Sequence, residues 1–151
     1  MSENPQLGFP QLTDVESESL KQINDLLYGK AAPFPLTNDQ RRLLIALRFH
    51  YGRERAIELK ELCELVKLDE RKVKDLMRSL VVDFKVRIGA ARTRPFGYYL
   101  ITTAEEAKEA AGIYWSEVRE LIKRAKVLED RHFVLERLGQ LRTEIEEEKA
   151  S

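Results

Sequence analysis

Apolar residues along the 151-residue chain fall into stretches of helical period, interrupted once by an alternating stretch. Leu20, Ile23 and Leu27 recur at helical intervals before Gly29, and Thr13 stands at capping-box spacing from Glu16. This predicts a short helix over about residues 14 to 28. Such a helix is marginal alone in water, so its stripe must pack on the domain or on a partner. Residues 1 to 12, with Pro5, Gly8 and Pro10, read as a mobile arm, and Lys30-Ala-Ala-Pro-Phe-Pro35 reads as an extended linker.

Thr37 with Gln40 forms a second capping box, opening a helix that carries Leu43, Leu44, Leu47 and Tyr51 on one face and that Gly52 ends. Ala56 to Val66 repeats the pattern through Ile57, Leu59, Leu62, Cys63 and Val66. After a break at Lys67-Leu68, Asp69 is a good N-cap for a third core helix with Val73, Leu76, Met77 and Leu80 as its buried stripe. Beyond Asp83 the period becomes alternating. Val86 and Ile88 flank Arg87, the loop Thr93-Arg-Pro-Phe-Gly97 intervenes, and Tyr98, Tyr99, Leu100 and Ile101 resume, which predicts a β-hairpin.

Thr102 with Glu105, or Thr103 with Glu106, caps the next helix, which runs to about Lys126. Its stripe Ala107, Ala111, Tyr114, Val118, Leu121, Ala125, Leu128 has heptad spacing. A last helix from Asp130 carries Val134, Leu138, Leu141 and Ile145. The expected fold is therefore mainly α with a small β-hairpin. Residues 1–36 form an arm, short helix and linker, 37–103 a central domain, and 104–151 a C-terminal helical extension.

The segment 57-IELKELCELVKLDERKVKDLMRSL-80 resembles the helix-turn-helix of the winged helix-turn-helix superfamily, with Leu62, Val66, Leu68, Val73 and Leu76-Met77 where such domains place their core. The continuation 97-GYYLITTAEEAKEAAGIYWSEVRELIKRAKVL-128 is similar to small winged-helix proteins of bacteriophages and prophages. The resemblance covers about residues 37 to 128. It implies a winged helix-turn-helix domain that binds DNA, in a superfamily that also contains protein-binding members.

Charge sharpens this reading. The formal net charge is zero, yet residues 69 to 94 carry a net +4 between ends at −3 each. On a helical wheel the face of the third core helix opposite its apolar stripe carries Arg71, Asp75, Arg78 and Val82, flanked by Lys72 and Lys74. In a helix-turn-helix the N-terminal part of this helix enters the major groove, which positions Glu70, Arg71, Lys72, Lys74 and Arg78 for base edges or phosphates. The hairpin adds Lys85, Arg87, Arg92 and Arg94, with no acidic residue between Phe84 and Thr103, suiting a phosphate backbone or minor groove. The bland alternative is a surface ion-pair ladder through Arg71, Asp75 and Arg78.

Other chemistry is poorly supported. No two of the seven glycines are spaced for a phosphate-cradling loop. His50 and His132 lack partners at metal-ligand spacing, and the single Cys63 on an apolar helix face reads as a small buried hydrophobe. No catalytic residue, metal or cofactor is expected. The composition is 43% hydrophobic and 34% charged, no apolar run is long enough to span a membrane, and MSENPQLGFP lacks the features of a secretory signal, so the expected compartment is cytoplasmic.

The leading expectation is a non-enzymatic double-stranded DNA-binding protein, a phage-type transcriptional regulator or replication accessory factor, without membrane association. It would dimerise through Ala107, Ala111, Tyr114, Val118 and Leu121 of the heptad stripe. The alternative is an interaction module that docks another protein of a replication or packaging complex through its terminal helices.

Overall fold

The computed structural model describes residues 14–29 and 35–150. The expected arm, the Thr13 cap and most of the Lys30 to Pro35 linker lie outside the described residues. Among the described residues the chain is mainly helical, with one antiparallel β-hairpin. Helix α1 is Asp14–Leu27, α2 is Asn38–Leu47, α3 is Leu59–Val66 and α4 is Glu70–Val82; strands β1 (Ile88–Ala91) and β2 (Gly97–Leu100) precede α5 (Ala104–Leu128) and α6 (Arg131–Ala150). The described residues divide into two compact units between Ala110 and Ala111.

In the first unit, α2 opens as its capping box dictates. Thr37 Oγ1 accepts from the Gln40 backbone at 3.1 Å, and the Gln40 side chain accepts from the Thr37 N–H at 2.9 Å. Helix α4 starts at Asp69, whose Oδ1 accepts from the Lys72 N–H at 2.8 Å. Between α3 and α4 the chain reverses at Lys67, which holds a left-handed conformation at φ 58° and ψ 46°. The stripes converge on one core: Leu43, Leu44 and Leu47 of α2, Leu62 and Val66 of α3, and Val73, Leu76, Met77 and Leu80 of α4 are buried with Val86, Ile88 and Leu100. Helix α1 belongs to this core through Ile23, Leu26 and Leu27, which settles its stripe on the domain.

Strand β1 pairs with β2 in the register Ile88↔Leu100 to Ala91↔Gly97. The other edge of β2 is occupied by a segment the pattern assigns to helices. Helix α2 ends at Leu47, before the expected Gly52, and α3 begins at Leu59, after the expected Ala56. Between them, Leu100 donates to the His50 carbonyl at 2.7 Å, Gly52 donates to Leu100 at 2.8 Å, and Ile57 and Tyr98 exchange hydrogen bonds of 2.9 and 2.8 Å. Tyr51 and Ile57 are therefore bridge residues along β2, with a 3₁₀ turn at Arg53–Arg55 between them. A backbone that can satisfy its polar groups against an open strand edge has no need to remain helical.

In the second unit, α5 beyond Ala110 is followed after Glu129 and Asp130 by α6, and Val118, Leu121, Ile122 and Ala125 of α5 line one apolar groove with Val134, Arg137, Leu138 and Leu141 of α6. Arg137 clasps Glu129 with bonds of 2.8 and 2.7 Å, which hold the Glu129 carboxyl below the usual carboxylate range. Among the described residues no helix is long and apolar enough to cross a membrane.

Candidate nucleic-acid interface

Burial of Val73, Leu76, Met77 and Leu80 fixes the rotation of α4, and this sends the remaining side chains outward. Glu70, Arg71, Lys72, Lys74, Asp75 and Arg78 are all exposed. The ion-pair ladder is not formed: among the described residues no salt bridge joins Asp75 to Arg71 or Arg78. These cations meet solvent as a row along one helix face.

The hairpin residues play different parts. Lys85 is exposed at φ 61°, and its ammonium donates to the Val82 carbonyl at 2.8 Å, covering the C-terminal end of α4, where a cation is favoured. Gln22 of α1 donates to the Lys85 carbonyl at 2.7 Å, so the turn into the hairpin is tied to α1. Arg87 is exposed just before β1, while Arg92 and Arg94 are exposed in the loop that joins the strands. The predicted residues thus form the outer face of α4 and one basic hairpin within a single unit.

Sequence reasoning missed the residue that holds this loop. Arg53 extends from the 3₁₀ turn, and its guanidinium donates to the Thr93 side chain, to the Thr93 carbonyl at 3.3 Å and to the Arg94 carbonyl at 3.4 Å. The same group pairs with Glu109 at 3.2 Å, and the Arg53 backbone N–H donates to Glu106 Oε2 at 2.7 Å. Glu106 also accepts from the Thr102 N–H and hydroxyl at 2.8 and 2.9 Å, while Thr103 Oγ1 accepts from the Glu106 N–H at 3.1 Å. The Thr103 and Glu106 cap expected for α5 is therefore present, and it is shared with the loop support. Residues this far apart in sequence leave no local signal.

Other candidates have structural partners. His50 Nδ1 lies 2.8 Å from the Arg55 carbonyl, and the His132 ring stands edge-on to Phe133 at 5.9 Å. Burial, reinforced by Glu70 and Asp69, pushes the Cys63 thiol up, away from the thiolate a nucleophile needs. Among the described residues no cluster of His, Cys, Asp or Glu is grouped to hold a metal ion. Of the stripe residues assigned to dimerisation, Ala107 packs with Tyr99, Ile101 and Ala110 in the first unit, whereas Ala111, Tyr114, Val118 and Leu121 are exposed in the second.

Comparison of the chain with protein-family models, curated proteins and solved structures gave no match.

Proposed function

We propose that the first unit is a winged helix-turn-helix domain and that the protein is a non-enzymatic, cytoplasmic binder of double-stranded DNA, acting as a phage-type transcriptional regulator or replication accessory factor. In this reading α3 and α4 are the helix-turn-helix, β1 and β2 are the wing, and α4 enters the major groove. The observation that carries the proposal is the exposed row Arg71, Lys72, Lys74 and Arg78, without intramolecular salt bridges among the described residues, on the unit that also presents a basic hairpin loop. Exposed cations on such a surface are what a polyanion recruits through counterion release.

The experiment is binding of a random-sequence duplex by fluorescence anisotropy across a salt series. Affinity should fall steeply with salt. Replacing Arg92 and Arg94 with alanine should weaken binding to every sequence and lower the slope of log K against log salt by about 1 to 2. Arg71→Ala should act on sequence preference, costing about 1 to 3 kcal/mol at one base pair. Absence of binding at low salt by a folded protein would overturn the proposal in favour of the protein-docking module.

A further inference from the structure

Between Gln40 and Ile57 the chain carries five arginines, Arg41, Arg42, Arg48, Arg53 and Arg55, against one acidic residue, Glu54. Three of them are engaged within the fold: Arg41 donates to the Leu27 carbonyl, Arg42 pairs with Asp39 at 2.7 Å, and Arg53 pairs with Glu109 while holding the Thr93 loop. Arg48 and Arg55 lie over aromatic rings instead. The Arg48 guanidinium carbon stands 5.5 Å from the centroid of the Phe49 ring, and that of Arg55 stands 4.5 Å from the centroid of Tyr51. Among the described residues neither arginine enters a salt bridge. The 2.8 Å contact between His50 Nδ1 and the Arg55 carbonyl joins the segments that carry the two pairs.

A guanidinium drawn onto a π-face keeps its edge N–H groups for an anion. Phe49 is 64% exposed, one turn beyond Ile45, itself 43% exposed, so its ring stays in water past the end of α2 rather than joining Leu43, Leu44 and Leu47 in the core. Tyr51 is half-buried and fixed by its bridge to Leu100, which gives the second stack a rigid base. The combination selects among anions. An acidic peptide would satisfy the arginines and leave the Phe49 ring without a flat partner. A duplex offers phosphates, but its bases are stacked on one another and present no face. An unpaired nucleotide supplies both, a base for the ring and phosphates for the guanidinium edges. None of these residues lies on α4 or on the β-hairpin, so the patch is separate from the cations assigned to the duplex.

We propose that Arg48, Phe49, Tyr51 and Arg55 bind single-stranded DNA, with Phe49 stacking on an unpaired base and the two guanidinium groups holding its flanking phosphates. The choice of DNA over RNA rests on the duplex-DNA reading above, because an opened duplex is the source of such a strand. The test is fluorescence anisotropy of the full-length protein with a labelled oligothymidylate of about 12 nucleotides, which forms no duplex, measured beside the random-sequence duplex. Phe49→Ala should weaken oligothymidylate binding about 5- to 100-fold and leave duplex affinity unchanged, whereas Phe49→Trp should retain both. Arg48→Ala and Arg55→Ala should each lower the slope of log K against log salt for the single strand by about 0.7. Oligothymidylate that fails to bind while the duplex binds overturns this inference alone. A duplex that fails to bind, beside oligothymidylate binding that responds to Phe49→Ala, overturns the duplex reading alone. Oligothymidylate binding indifferent to Phe49→Ala overturns the site, and an equal loss of duplex binding in that variant overturns its separateness. Oligouridylate bound more tightly than oligothymidylate overturns the choice of DNA.

Discussion

Arg53 and Thr93 stand on different segments of the first unit, and the Arg53 guanidinium joins them by donating to both the hydroxyl and the carbonyl of Thr93. Glu109 holds the far side of that guanidinium. The loop carrying Arg92 and Arg94 is thereby fastened to the first turns of α5 through one mostly buried side chain. Arg53→Ala should destabilise the protein by about 1 to 2 kcal/mol, because the Thr93 and Arg94 carbonyls lose a charged donor. Hydrogen exchange should accelerate at residues 92 to 97 before it does in α4. Unchanged exchange in the loop would show that the strands alone hold it.

Ser19 supplies a second long-range tie. Its hydroxyl, buried in α1, donates to the Ile101 carbonyl at 2.7 Å, where β2 passes into the α5 cap. Ser19→Ala removes the donor and leaves the carbonyl buried without it, at a cost of about 1 to 3 kcal/mol. Chemical denaturation measures this directly. A loss below about 0.5 kcal/mol would mean that water replaces the hydroxyl, as at a surface position.

The elements that could be read from sequence are those whose signals are local. Asp69 with the Val73, Leu76, Met77, Leu80 spacing defines α4 completely, and Thr37 with Gln40 does the same for the start of α2. The outward direction of Arg71, Lys72, Lys74 and Arg78 follows from that same spacing. The segment from His50 to Ile57 could not be read in this way. Ile57, Leu59 and Leu62 match a helical period by spacing alone, whereas the bonds that decide their backbone come from Tyr98 and Leu100, more than forty residues away in the chain. Arg53 was hidden for the same reason, since its partners Thr93, Arg94 and Glu109 share no local pattern with it.

Glycine substitutions should separate by position with opposite signs. Gly97 sits at φ 121°, and a Cβ there would run into the Ile57 carbonyl, where β2 meets the bridge segment. Gly97→Ala combines an unfavourable backbone conformation with a backbone clash and should cost more than about 2 kcal/mol. Gly112 lies within α5, and a Cβ added there would meet nothing within 4 Å. Gly112→Ala should stabilise the helix by about 0.5 to 1 kcal/mol. Thermal melts of the pair check both signs, and a destabilising Gly112→Ala would indicate that this face of α5 is occupied in solution.

Tyr99 should make the stability of the fold depend on pH in the alkaline range. Its ring is 1% exposed and its phenol is pushed above the ordinary tyrosine range by burial, then by the Glu109 and Glu106 carboxylates, with Arg53 opposing. In the unfolded chain the phenol ionises near pH 10, below the pH at which it does so in the fold. The stabilisation that depends on the neutral phenol is therefore fully present below about pH 10 and is lost as the pH rises toward the folded value, at up to about 1.4 kcal/mol per pH unit. Tyr99→Phe keeps the ring over Gly89, where a Cβ would approach the Tyr99 ring carbon Cζ to 2.5 Å, and removes the titrating group. Urea denaturation from pH 7 to 11 should show the wild type falling more steeply than Tyr99→Phe only above about pH 10. Parallel curves throughout would place the alkaline sensitivity elsewhere.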